Sequence, residues 1–143
     1  MAVRISIDDA HGMVVARATG QLSSREIIGA FSATIEETRG KIMGKDVLFV
    51  CAKDVSFHHI DLQALHEIRN SMESWRKIYP TKRHSVACVV PATLSQATAK
   101  LWKSITETSG FEITVGLFEK EEDAAAWFTV QRAKRAEMGE GSV

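Results

Sequence analysis

Four side chains with ligand or acid–base chemistry lie close together in the sequence: His58, His59, Asp61 and His66. Imidazole and carboxylate groups are the usual protein ligands of zinc and related metals. Asp61 and His66 are separated by about 140° around a helix, however, so they do not share a face as an i, i+4 pair would. A metal-dependent hydrolase is therefore the least favoured of the three functions we consider, and we predict no metal ligands and no cofactor.

Nucleophilic catalysis finds little support in the sequence. The chain has no Gly-x-Ser-x-Gly elbow, no Gly-x-x-x-x-Gly-Lys-Ser/Thr loop and no Gly-x-Gly-x-x-Gly after a strand. Its two cysteines, Cys51 and Cys88, lie inside apolar runs, where burial disfavours the reactive thiolate. We therefore predict two free, buried thiols, no catalytic residue and a protein that is not an enzyme.

Composition excludes several other classes of function. The 143 residues are 45% hydrophobic and 25% charged, which is ordinary for one globular domain. Lys+Arg and Asp+Glu are balanced at 18 each, so no basic surface for nucleic acid is expected. No apolar run approaches the roughly 20 residues that span a bilayer, and the N-terminus has no secretory hydrophobic segment. We expect a protein of the reducing cytoplasm, without a nucleic-acid partner or an integral membrane segment.

Hydrophobic patterning predicts the strands that position these side chains. Residues 3–7 alternate strictly and residues 13–19 follow after a short turn, so these two strands form an antiparallel hairpin. Two uninterrupted apolar runs, residues 47–51 and 86–90, predict adjacent central parallel strands. With residues 113–118 as the last strand, the fold is a single α/β domain with a five-stranded mixed sheet and four helices.

Four segments with a period near 3.6 predict the helices. Ser23 with Glu26, and Thr93 with Gln96, have capping-box spacing, while Asp61 is a plausible N-cap. Trp102 lies beside the third apolar stripe rather than on it, and a partly exposed Trp there is a candidate for lining a ligand groove. The predicted apolar positions are Ile27, Ile28, Phe31 and Ile35; Leu65, Ile68, Met72 and Trp75; Leu94, Ala97, Leu101 and Ile105; and Ala124, Trp127 and Phe128.

Several short motifs, in this order of elements, resemble a known family. Gly20-Gln21-Leu22 follows the hairpin, Gly110-Phe111-Glu112-Ile113-Thr114-Val115 begins the last strand, and the Ala-rich final helix contains Trp127. Together they resemble the STAS domains, and within them the SpoIIAA-like branch, over most of residues 3–130. The resemblance implies a STAS/SpoIIAA-like domain over residues 1–135. Residues 136–143 offer nothing for a core to bury, so we predict a disordered tail there.

In antagonist STAS domains, a phosphorylatable Ser or Thr lies just before the second helix, in a segment reading Phe-x-Asp-Ser-Ser/Thr-Gly-Leu. The matching segment here is residues 57–63, in which His59 stands at the Asp, Ile60 at the acceptor Ser and Asp61 at the second hydroxyl residue. Because the acceptor hydroxyl is missing, the resemblance implies a non-enzymatic regulatory or protein-binding module that phosphorylation at this position does not switch.

The partner-binding site is predicted in the loop that contains Ser56, Phe57, His58, His59 and Asp61, since it follows the carboxyl end of a central parallel strand. The expected partner is another protein, and a homodimer and an apolar small ligand are the alternatives. A small-molecule or lipid carrier with an apolar crevice between helices and sheet is accordingly the second function we consider.

A small basic corner brackets Pro80 and consists of Lys77, Lys82, Arg83 and His84. Such a corner fits contact with an anionic lipid or an acidic partner, but it fits a solvated turn equally well. The sequence leaves both readings open.

Overall fold

The computed structural model describes residues 2–138 and contains one five-stranded sheet. The strands are β1 (Val3–Asp8), β2 (Met13–Ala18), β3 (Asp46–Cys51), β4 (His84–Val89) and β5 (Ile113–Phe118). They lie in the order β1-β2-β3-β4-β5; β1 and β2 pair antiparallel, and the remaining neighbours pair parallel. The predicted mixed sheet is confirmed, and so is the central position of the two apolar runs.

Helices cover both faces of the sheet. They are α1 (Ser24–Glu37), α2 (Leu62–Ile78), α3 (Ala97–Glu107) and α4 (Glu121–Glu137). Successive residues of a strand point to opposite faces. In β4, Val86 and Cys88 pack in a core with α1, α2 and α3, whereas Ala87 and Val89 pack in a second core with α4. Three helices therefore lie on one face and the fourth on the other.

The first two helices begin as their sequences predict. The Ser23 hydroxyl accepts a hydrogen bond from the Glu26 backbone N–H at 3.2 Å, and the Asp61 carboxylate accepts one from the Ala64 N–H at 2.8 Å. The capping box predicted for Thr93 is wrong: α3 begins at Ala97, the side chain of its N-cap residue Gln96 forms no capping hydrogen bond, and the Ala97 N–H donates instead to the Ser95 hydroxyl. Residues 91–94 instead form a turn closed by the hydrogen bond from Leu94 N–H to the Pro91 carbonyl.

The face that α3 turns toward the sheet also differs from the prediction. Leu101 is 43% exposed, while Ala99 is buried and Trp102 is half-buried against the core. The predicted face with Leu101 and the observed face with Ala99 and Trp102 both have helical spacing, so periodicity alone does not distinguish them. We attribute the choice to the larger apolar area that the indole buries.

A buried ion cluster ties α4 to the back of the sheet. Asp46, only 4% exposed, accepts hydrogen bonds at one carboxylate oxygen from Arg132 Nε and Arg135 Nη2, both at 2.9 Å. Its other oxygen accepts one from the Ser85 backbone N–H at 2.9 Å. The first residue of β3 thereby joins β4 and the end of α4, a long-range arrangement that the sequence analysis did not predict.

The predicted disordered tail overlaps the end of α4. The helix continues past Arg135 to Glu137, and residues 139–143 of that tail lie outside the described residues. Across residues 2–138, no helix combines the length and the apolar character needed to cross a membrane.

A candidate ligand cavity and the loop beside it

A cavity of about 190 Å³ lies between the sheet and helices α1, α2 and α3. Its floor includes the side chains of Val47 and Phe49 from β3 and of Val86 and Cys88 from β4. The entire predicted stripe of α2 lines the opposite wall, namely Leu65, Ile68, Met72 and Trp75. The hydrophobic faces that build the fold thus also build this cavity.

The volume indicates the size of a guest. Protein interiors are close-packed and rarely contain voids larger than a water molecule. An engineered apolar cavity of about 150 Å³ is already enough to hold benzene, whereas sites for drug-sized ligands are typically about 300 Å³ or more. At about 190 Å³, the cavity has room for one aromatic ring system or a short hydrocarbon chain.

Polar groups line the cavity at the amino ends of β3 and β4. Lys45 immediately precedes β3, His84 opens β4, and Arg76 lies in the last turn of α2. Arg76 Nε donates a hydrogen bond to Thr81 Oγ1 at 3.2 Å, and the guanidinium lies over the Phe111 ring at 5.0 Å from its centroid. Basic side chains therefore lie at this end of the cavity, and the Arg76 guanidinium is held there by a hydrogen bond and a ring contact.

His84 is the buried member of the predicted basic corner. Burial lowers the pKa of its imidazole, although the hydrogen bond with the Lys82 carbonyl and the charge of Asp46 act in the opposite direction. The ring Nδ1 lies 3.0 Å from the Lys82 carbonyl oxygen, which can only accept, so we assign the proton of the neutral ring to Nδ1. Its Nε2 is then a hydrogen-bond acceptor.

The two thiols also line the cavity, and both are free and buried, as predicted. Burial raises the pKa of Cys51 to about 12, and it raises that of Cys88 to about 12 with a smaller contribution from Cys51. At neutral pH these groups are therefore protonated and behave as small apolar side chains.

The loop predicted to bind a partner has an inner and an outer side. Phe57 is half-buried and lines the cavity, whereas His58 and His59 are exposed. Ser56 fixes the loop, because its N–H donates to the Gly20 carbonyl and its hydroxyl accepts from the His58 N–H. Asp61 is exposed and caps α2. The structure thus keeps these five residues together in one loop but directs them to different environments.

Ile60, the residue that the resemblance to STAS domains aligns with a phosphoacceptor Ser, faces inward. It is 8% exposed and lines the cavity next to Phe57. On the outer side, His59 Nε2 lies 3.0 Å from the Gln21 side-chain oxygen, which joins the loop to the segment before α1.

Trp102, the predicted groove residue, contributes to the cavity wall. Lys45, Arg76 and Thr81 also line the cavity but were not among the site residues predicted from the sequence. A signal existed for Arg76, since it follows Met72 by one helical turn and so continues the stripe of α2. Lys77 and Lys82, which were noticed in the basic corner, are exposed instead.

Among residues 2–138, no three His, Cys, Asp or Glu side chains are placed to hold a metal ion. His66 is exposed on α2. We compared the chain with protein-family models, with curated proteins and with solved structures, and found no match in any of the three.

Proposed function

We propose that this domain binds a small apolar molecule in the cavity between its sheet and helices α1, α2 and α3, without converting it chemically. The observation that carries the proposal is a cavity of about 190 Å³ with walls that are almost wholly apolar. Apolar walls that lack packing partners lose dispersion contacts, and a bound apolar ligand would restore those contacts.

A SpoIIAA-like STAS domain is the family we propose for the chain. The support is the order of elements and strands, which agrees with the layout that the resemblance implies. Ile60 replaces the acceptor hydroxyl and lines the cavity, so this segment contributes wall to a ligand site. The raised pKa values of both thiols favour binding over covalent catalysis.

Protein binding through the loop at 56–62 is the second candidate function. One observation favours it: His58, His59 and Leu62 form an exposed outer side, on which Leu62 is 53% exposed. If this side binds a partner, the double variant with His58→Ala and His59→Ala should weaken that complex. The same variant should leave cavity binding unchanged, because neither imidazole lines the cavity.

Tryptophan fluorescence tests the ligand proposal directly. Trp75 and Trp102 line the cavity, whereas Trp127 packs against Phe118 on the opposite face of the sheet. In a Trp127→Phe variant, emission therefore reports only on the cavity. Titration with 1-octanol should give a saturable change in emission and a higher Tm.

Two alanines of α3 provide a matched pair of variants. Ala99 is buried and lines the cavity, whereas Ala97 is exposed. Ala99→Leu should occupy part of the cavity and weaken the fluorescence response to 1-octanol, and Ala97→Leu should leave that response unchanged. If the Trp127→Phe protein gave no saturable response, or if Ala99→Leu bound 1-octanol as well as its parent, the proposed function would be wrong.

A further inference from the structure

The basic residues at one end of the cavity indicate the chemical class of its ligand. We infer that the ligand is a small aromatic or medium-chain carboxylate, whose anionic group is held by Arg76 and Lys45 at the amino ends of β3 and β4. This inference rests on the proposed function, since it assumes that the apolar cavity is the binding site.

The charges that line the cavity are all of one sign. Among the described residues, Lys45 and Arg76 are its charged lining groups, His84 is the third basic side chain, and no Asp or Glu lines it. Neither cation forms an ion pair with another residue of the range 2–138. An anionic group on the ligand would supply the missing countercharge in a partly desolvated setting, where such a pair is stronger than in water.

A second arginine on the same helix shows what Arg76 lacks. Arg69 and Arg76 both lie over the Phe111 ring, at 5.3 Å and 5.0 Å from its centroid. Arg69 is paired with Glu73 one turn away, but Arg76 has no carboxylate partner within the described chain. Thus Arg69, which does not line the cavity, is paired with the Glu73 carboxylate, whereas Arg76, which lines the cavity, has no carboxylate partner within residues 2–138.

Arg76 is held in a fixed geometry before any ligand binds. Its Nε is engaged by Thr81 Oγ1, and the plane of the guanidinium is supported by Phe111. Its two terminal nitrogens form no hydrogen bond within residues 2–138, and a guanidinium can bind a carboxylate with two parallel hydrogen bonds. Such preorganisation reduces the entropy lost on binding.

Lys45 offers a second cation that the scaffold does not use. Its neighbour Asp46 cannot neutralise it, because both carboxylate oxygens of Asp46 accept hydrogen bonds from Ser85, Arg132 and Arg135. Lys45 is half-buried and lines the cavity. The volume of about 190 Å³ limits the apolar part to one ring system or a short chain, so a two-chain membrane lipid does not fit inside.

The test compares octanoate with 1-octanol, which share a hydrocarbon chain and differ in charge. Affinities are measured by the fluorescence of the Trp127→Phe protein. Lys45→Gln and Arg76→Gln should each weaken octanoate binding about tenfold, as expected for a charge-assisted hydrogen bond, and leave 1-octanol within about twofold. Lys77→Gln and Lys82→Gln are the matched controls, because they remove an exposed neighbouring charge and should change both affinities less than about twofold.

Two results would be decisive against the inference. If 1-octanol binds but octanoate affinity is unchanged in Lys45→Gln and in Arg76→Gln, the carboxylate inference is wrong while the proposed function stands. If neither compound binds the parent protein, both fail together. Loss of the fold in Arg76→Gln would be recognised by loss of 1-octanol binding, and Lys45→Gln, which removes no side-chain hydrogen bond of the scaffold, then decides the question.

Discussion

At the scale of single residues, the cavity wall contains two thiols whose chemistry is set by burial. The pKa of each rises from 9.0 to about 12, so at pH 8 the thiolate fraction is about a thousandfold lower than for an unperturbed cysteine. We predict that native Cys51 and Cys88 react with a disulfide reagent at least about a hundredfold more slowly than free cysteine. In urea both should react at the rate of free cysteine, and rapid labelling of the native protein would instead indicate an activated thiol.

His84 gives a prediction about pH. Burial lowers the pKa of its imidazole below the ordinary value of 6.5. The hydrogen bond with the Lys82 carbonyl and the charge of Asp46 raise the pKa by smaller amounts, and the charges of Arg135 and Arg76 have still smaller lowering effects. Since the unfolded chain binds this proton more readily, the stabilising contribution is complete above pH 6.5 and is lost as the pH falls through the folded-state pKa.

The urea concentration at the midpoint of unfolding should therefore decrease when the pH is lowered from 7.5 to 5.5. It should decrease less in His84→Asn. Asparagine keeps an N–H donor for the Lys82 carbonyl but does not titrate. An equal fall in the two proteins would assign the effect to other groups.

At the scale of elements, α4 is held to the sheet by the ion cluster of Asp46, Arg132 and Arg135. Asp46→Asn leaves two guanidinium groups without their carboxylate, and removing one partner of a buried pair is strongly destabilising. The usual cost is about 3–5 kcal/mol. Because Arg132 is 38% exposed, we expect a smaller loss of about 2–3 kcal/mol in the free energy of unfolding, measured in urea.

The exposed pair between Arg17 and Glu121 is the control for this prediction. Its side chains are 56% and 49% exposed, so Glu121→Gln should cost less than about 1 kcal/mol. Equal effects of the two substitutions would show that burial does not govern these pairs.

Individual elements also explain what sequence reasoning can and cannot reach. The uninterrupted apolar run of β4 and the stripe of α2 predicted a central strand and a buried helix face, because burial is local in sequence. The buried face of α3 was predicted wrongly, because the row of residues that contains Leu101 and the row that contains Trp102 have the same helical period. Arg76 and Lys45 were not predicted as site residues. They lie at the same end of the cavity only because of the tertiary fold, and local periodicity carries no information about that.

At the scale of the whole molecule, the loop at 56–62 forms part of the wall of the ligand cavity and is also exposed to solvent. Phe57 and Ile60 line the cavity, whereas His58 and His59 lie on the solvent side of the same turn. The turn has its own hydrogen bond, from the Ile60 N–H to the Phe57 carbonyl at 2.9 Å. A ligand that packs against the inner side should therefore suppress local opening of the loop. If it also changes the affinity of a partner on the outer side, that partner must change the affinity of the ligand by the same factor.

Amide hydrogen exchange can measure this coupling. With 1-octanol bound, we predict slower exchange in residues 56–62 and in the neighbouring first turn of α2, by about threefold to tenfold, because these amides exchange through local openings. The matched reference is α4, which packs on the opposite face of the sheet through Ala124 and Phe128. Slower exchange of comparable size in α4 would indicate global stabilisation alone, and unchanged exchange in the loop of the ligand-bound protein would show that cavity and loop are independent.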